Sequence, residues 1–212
     1  MASSGTYNYS LSNGEAVLAA FERCWLRLPS LRQEHMLSAR RELNDLFVEL
    51  SNRQVNLWKV ELDSIALVAG AGTYSIPAST VMILDAYVSA NEGIVSQTDR
   101  YITPISRTEY ASYATKQTPG SPTVYWFDRL IAPTLTTYPV FNGDGYNFLN
   151  YYRCVQLQDA NLTGGETPDL PYRWLGVLVA GLALRLARIY PPQGVDPMAF
   201  KADRKADYDE AW

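Results

Sequence analysis

Glu61 and Asp63 stand in a stretch whose apolar residues alternate, so both carboxylates fall on one face of an expected strand; Asp207, Asp209 and Glu210 crowd the last residues. A carboxylate pair is the equipment of glycoside hydrolysis, one group held protonated as the acid and its partner ionised. Neither cluster comes with an aromatic-lined cleft that the sequence can point to, and a solvated strand edge or chain end accounts for both. The one histidine, His35, lies beside Glu34 in a helical stretch. With no second histidine for a metal and no Ser or Cys arrangement around it, it reads as a surface or interhelix residue. Gly70, Gly72, Gly143, Gly145, Gly164 and Gly165 are neither followed by a Lys-Ser/Thr pair nor set between a strand and a helix, so they read as turn formers, not phosphate cradles. The nucleophile elbow, the Walker A loop and the dinucleotide fingerprint are missing. On residue types, the expectation is a chain without catalytic site, metal or cofactor.

One run mixes cations with aromatics: Arg100, Arg107, Lys116 and Arg129 alternate with Tyr101, Tyr110, Tyr113, Tyr125, Trp126 and Phe127. Two readings stand side by side, a surface that contacts phosphates or another subunit and cross-strand pairs with snorkelling side chains inside one sheet. The 18 basic and 22 acidic side chains leave a formal charge of -4, which argues against a grip on nucleic acid driven by phosphate neutralisation. A weakly sticking wall along which DNA slides is compatible with that balance. Cys24 and Cys154 have no partners at metal-ligand spacing and read as free thiols in a reducing compartment.

The elements that must position these residues follow from periodicity. The 212 residues are 47% hydrophobic and 19% charged, enough for a core without staples. Ser12 or Asn13 can cap a first helix, with Glu15 close behind and Val17, Leu18, Phe21, Trp25 and Leu28 as its apolar stripe. After Pro29, Met36, Ala39, Leu43, Leu46, Phe47 and Leu50 mark a second helix, and the two are expected to pair as an antiparallel hairpin over residues 1–54. From 55 to 160 the period changes to that of strands, at Trp58 to Leu62, Thr73 to Ile76, Val81 to Val88, Tyr101 to Ile105, Thr123 to Phe127, Thr134 to Tyr138 and Tyr151 to Leu157, with Asn142 to Gly145 as a turn. With no long helix between them to carry a crossover, they read as an antiparallel β insertion.

Residues 161–192 hold a helix opening at Pro171, apolar on nearly all faces from Trp174 to Ala187 and ending with Arg185 and Arg188 where the helix dipole favours cations. Such a helix must be surrounded, either within the chain or by a neighbouring subunit. It is too short to span a bilayer. Residues 193–212 are charge-mixed, end in Trp212, and read as a frayed helix or docking tail whose removal at Pro192 would leave the fold intact. The polar start reads as carrying no signal peptide, and Asn8 and Asn161 read as chance glycosylation matches. The 15 Tyr and 5 Trp suit partly buried contacts. The fold class expected is α+β: an antiparallel helical bundle of N- and C-terminal helices, a central antiparallel β insertion and a C-terminal docking tail.

Several phrases, in this order, carry a family likeness: GTYSIPASTVMILDAYV (Gly72 to Val88), ITPISRTEYASYATKQTPGSPTVYWFDR (Ile102 to Arg129), TLTTYPV (Thr134 to Val140) and LQDANLTGGETPDLPYRWLGVLVAGLALRLA (Leu157 to Ala187). Within them are a Tyr-x-Ile-Pro strand end, a Ser-Arg-x-Glu-Tyr turn into a short helix, Lys-x-x-x-Gly-x-Pro before a strand, a Tyr-Pro ending, and Pro-Asp-x-Pro before an apolar helix. In these features the chain resembles the head-to-tail adaptor (connector) proteins of tailed bacteriophages, especially those of short-tailed phages.

The resemblance implies a non-enzymatic homo-oligomer, a ring of twelve copies at the virion's head–tail junction, assembled in the host cytoplasm. Its partners would be the portal protein on one side, a tail or nozzle protein on the other, and double-stranded DNA passing without sequence-specific binding; no membrane and no cofactor are implied. Three contact regions are expected: the terminal tail with Phe200, Tyr208 and Trp212 as portal anchors, the loop from Arg107 to Pro122 with Tyr110 and Lys116, and the arginines Arg185 and Arg188, which pair across subunits or satisfy their own helix. A capsid decoration or tail-fibre attachment protein is the alternative, and a virion-associated hydrolase the more distant one. The physical premise is that the apolar helix and tyrosine-rich sheet exceed what one molecule can cover, so that a closed ring must bury them.

Overall fold

In the computed structural model the described residues are 9–53, 58–162 and 165–212. The expectations placed on Asn8, Val55 and Gly164 lie outside them. In chain order they form α1 (Asn13–Arg23), α2 (Gln33–Arg53), β1 (Val60–Ala66), β2 (Thr73–Ser75), β3 (Thr80–Ala90), β4 (Thr98–Pro104), α3 (Arg107–Ser112), β5 (Pro119–Gly120), β6 (Val124–Asp128), β7 (Thr134–Tyr138), β8 (Val140–Phe141), β9 (Phe148–Val155), α4 (Leu175–Ile189) and α5 (Pro197–Ala211). The protein is α+β and divides into two compact units, one drawn from residues 1–54 and 157–212, the other from 55–156.

In the helical unit α1 opens on a capping box: the Ser12 hydroxyl accepts from the Glu15 N–H at 3.2 Å, and the Glu15 carboxylate accepts from the Ser12 N–H at 2.8 Å. Ser12, not Asn13, is the cap. Ala16, Val17, Ala20 and Phe21 are buried below it. The expected continuation of that stripe through Trp25 and Leu28 does not hold. The helix stops at Arg23, Trp25 takes a left-handed conformation with φ 64°, and both side chains are exposed. On α2, Ala39, Leu43, Leu46, Phe47 and Leu50 are buried as their spacing requires. The expected hairpin is corrected in its packing, because α1 and α2 pack chiefly on α4 and little on one another.

A 3-10 turn at Tyr172–Trp174 precedes α4, which begins at Leu175 and not at Pro171. It is buried from Leu175 to Ala187 save for Gly176 and Arg185, walled by α1, α2 and α5. The premise that neighbouring copies are needed to cover this helix is therefore wrong: the chain covers it by itself. The expected tail is a 15-residue helix, capped by Asp196 with Pro197 in its first turn, and Phe200 and Tyr208 sink into the same core. Cutting at Pro192 would strip one wall from α4, so the expectation of an intact fold is withdrawn.

Gly181 marks the closest approach among these helices. A Cβ placed there would lie 2.8 Å from Tyr208 Cε2 and 3.1 Å from both methyls of Leu46. Gly181→Val is expected to cost about 1–3 kcal/mol by overpacking, read as a lowered urea midpoint; an unchanged midpoint would show that α5 sits loosely.

In the other unit seven strands lie in the order β1-β9-β3-β4-β6-β7-β2, and β5 pairs with β8 in a small second sheet. The antiparallel expectation fails at two places, since β4 pairs with β6 and β5 with β8 in parallel, giving a mixed sheet. The link from β4 to β6 contains α3 and β5, and a connection of that length returns the chain to the end it left. Ser106 caps α3 by accepting from the Glu109 N–H at 3.1 Å, so the Ser-Arg-x-Glu-Tyr phrase does open a short helix. Gly143 and Gly145 hold positive φ in the turn before β9, where a side chain would be strained.

The core of this unit joins Leu67, Ile83, Val88, Ile102, Leu135 and Leu149 to the rings of Tyr125 and Tyr151. Burial pushes both phenols up to about 12, with Asp63 adding to the effect at Tyr151. The neutral phenols contribute stability that is present in full below the unfolded value of about 10 and lost as pH rises through the folded values. The unit is expected to loosen between about pH 10 and 12, followed by phenolate absorbance alongside circular dichroism; both phenols ionising at the exposed value would contradict this.

Candidate interaction surfaces

The carboxylate pair on β1 is built around a buried cation. Glu61 lies opposite Arg153 of β9 in register, and the Arg153 guanidinium reaches Glu61 at 2.6 Å and Asp63 at 2.5 Å. The same group donates to Ser79 at 3.0 Å and Thr80 at 3.4 Å, and its side chain is only 9% exposed. Both carboxylates are engaged by the same arginine, which is not the arrangement of glycoside hydrolysis, where the two face a substrate from opposite sides of a cleft. The sequence named the two acids and missed Arg153. The same ion pairs correct the expected alternation on β1: Leu62 is half exposed, because the face that packs inward is the one carrying Asp63 toward Arg153.

His35 is an interhelix residue, as expected. Its Nδ1 accepts from the Arg32 N–H at 2.9 Å, and its ring meets Tyr190 and Phe21 edge-on at 4.7 and 6.0 Å. Among the described residues no group of three or more His, Cys, Asp or Glu is placed to hold a metal. Cys24 and Cys154 are free and buried, and burial pushes the Cys24 thiol up to about 11. Asp207 pairs with Arg204 at 2.8 Å, while Asp209 and Glu210 face solvent.

The run of cations and aromatics becomes a stacked ladder that holds the loop around α3 onto the sheet. Tyr110 stacks on Trp126 at 5.3 Å and Tyr113 on Tyr138 at 4.3 Å. Lys116 donates to the Tyr113 carbonyl at 2.8 Å and sits over the Tyr110 ring, and Arg107 lies over Trp126, 3.7 Å from Asp128. Arg100 donates to the Pro122 carbonyl at 2.9 Å and covers Tyr146, and Arg129 covers Phe127. Of the two readings the structure supports contacts within the unit. Arg107 keeps most of its side chain, 73%, in solvent, and Tyr101 and Arg129 are exposed as well.

In the helical unit Arg185 is satisfied inside the chain, bridging Glu42 at 3.2 Å and Glu49 at 2.6 Å on α2. Arg188, one turn on, is exposed. Of the three expected anchors, Phe200 and Tyr208 are buried against α4 and only Trp212 is outward, 41% exposed. Trp212 is held edge-on to Trp174 at 5.2 Å, with the Arg53 guanidinium 5.3 Å from its centre. The sequence did not single out Arg53 or Lys205, which share a cleft with Arg188; cation–ring partners on separate helices leave no local spacing to read.

Exposed aliphatics gather at two loops of the β unit, Ile94 and Val95 between β3 and β4, and Leu130 and Ile131 between β6 and β7. Among the described residues no helix is long and apolar enough to cross a membrane. Compared with known proteins, residues 23–211 match the sequence model of a family described as SU10 adaptor protein, a stretch that takes in nearly all the elements of both units. No curated protein matches the chain.

Proposed function

Because the chain belongs to the SU10 adaptor protein family, a family of phage head-to-tail adaptors and not an enzyme class, we propose that its copies close into a ring beneath the portal, join it to the tail or nozzle, and surround the passage of the DNA. The match over residues 23–211 is the observation that carries this reading. In it the helical unit is the bundle of the adaptor, and the β unit an insertion between its two halves. Twelve copies would assemble in the host cytoplasm.

Three features support the reading. The acids that looked most like catalytic residues are occupied by Arg153. A formal charge of -4 suits a wall past which DNA slides. The exposed aliphatic loops and Trp212 supply apolar contact for partners. In this proposal α5 and Trp212 face the portal, with Phe200 and Tyr208 holding α5 in place, and the loop bearing Arg107, Tyr110 and Lys116 faces a neighbour or the tail.

The test is negative-stain imaging of purified chain mixed with its portal protein. An added axial ring at the portal is expected. Portal particles unchanged at high chain concentration, or chain scattered over the capsid face, would defeat the proposal.

A further inference from the structure

A cleft of about 200 Å³ opens among α2, α4 and α5. Four cations, Arg53, Arg185, Arg188 and Lys205, line it against two carboxylates, Glu49 and Asp209, in a chain whose total charge is negative. Glu49 is shared by Arg53 and Arg185. Arg188 and Lys205 are exposed and have no ion pair among the described residues. Tyr208 lines the same cleft at 4% exposure, and its hydroxyl has no hydrogen-bond partner. A buried hydroxyl left unmatched is rare in a folded chain and calls for an explanation. Here the residue that carries it belongs to the lining that also holds the two unpaired cations.

We propose that this cleft is a socket for a carboxylate carried by an acidic segment of a partner protein. Duplex DNA is met by open rows of cations along its phosphates. In this cleft Glu49 and Asp209 interrupt the cations, which leaves no continuous row of them to follow a phosphate backbone. A single carboxylate fits, because charge-assisted hydrogen bonds from Arg188 and Lys205 replace those it leaves in water. The floor beside them is apolar, formed by Leu46, Gly181 and Leu184, and accepts the stem of an acidic side chain. The adaptor reading enters only as the source of such a partner.

Fluorescence anisotropy of a labelled polyglutamate peptide against the full chain tests the socket, with duplex DNA and inorganic phosphate in parallel. The peptide is expected to bind, to weaken with salt, and to lose about tenfold or more in affinity in the Arg188→Ala/Lys205→Ala double variant. Lys201→Ala, outside the cleft, is expected to leave binding unchanged, and thermal unfolding checks that the double variant is folded. No peptide binding by the unaltered chain, equal binding by the double variant, binding of phosphate alone, or preferential DNA binding through the same two residues would each overturn the proposal. Sedimentation with portal protein separates it from the adaptor reading. A chain that joins the portal while ignoring the peptide loses the socket and keeps the role; one that binds the peptide and ignores the portal does the reverse.

Discussion

Phe200→Ala is expected to lower the stability of the helical unit by about 3–5 kcal/mol, the range for emptying an aromatic site in a packed core. Phe200 is 4% exposed, meets the Trp25 ring edge-on at 5.5 Å, and carries the Arg204 guanidinium 5.5 Å from its centre. It fastens the start of α5 as Tyr208 fastens the end, so its loss weakens one wall of α4. Truncation after Pro192 carries this further, since it uncovers the α4 surface around Gly181 and leaves an apolar patch with nothing to cover it. The truncated chain is expected to bind hydrophobic dyes and to aggregate, where the intact chain does neither. Urea unfolding followed by far-ultraviolet circular dichroism reads the point variant. A loss below about 1 kcal/mol would mean that α5 is a detachable tail after all, because surface changes are that small.

Arg153→Ala is expected to cost about 3 kcal/mol, the lower end of the range for breaking a buried ion pair from one side. The arginine is the buried member of the triad, while Glu61 and Asp63 keep 47% and 32% of their side chains in solvent, which softens the repulsion they are left with. If charge is the cause, neutralising the acids as well should restore most of the loss. The Glu61→Gln/Asp63→Asn/Arg153→Met variant is therefore expected to be closer to the original than Arg153→Ala. Equal instability in the two variants would instead assign the effect to the packing of the arginine stem.

Much of the framework is legible in local spacing. Ala39, Leu43, Leu46, Phe47 and Leu50 recur at helical intervals and are buried; Thr134 to Tyr138 is a strand with the predicted bounds; Leu175 to Ala187 is apolar all round and enclosed. These patterns work because a helix or strand repeats its faces at a fixed period. Trp25 and Leu28 fit the period of α1 yet lie beyond its end, where the backbone turns left-handed and the phase is lost. The acids of β1 were read as a solvated edge because Arg153 is far along the chain, and only the pairing of β1 with β9 brings it between them. The parallel pairing of β4 with β6 was equally hidden, since nothing in either strand records which neighbour a connection will select.

The amino-acid sequence by itself determined most of the longer helices and strands, the α+β class and, through the order of its phrases, the adaptor family, because these depend on nearest neighbours and on order along the chain. Tertiary structure decided which surface covers which. It enclosed α4 with the chain's own α5, turned Phe200 and Tyr208 from outward anchors into core, locked Glu61 and Asp63 onto Arg153, and gathered Arg53, Arg188 and Lys205 into one cleft. The physical reason is that burial and charge pairing act between residues close in space, and in each of these cases the partners belong to separate elements of the chain.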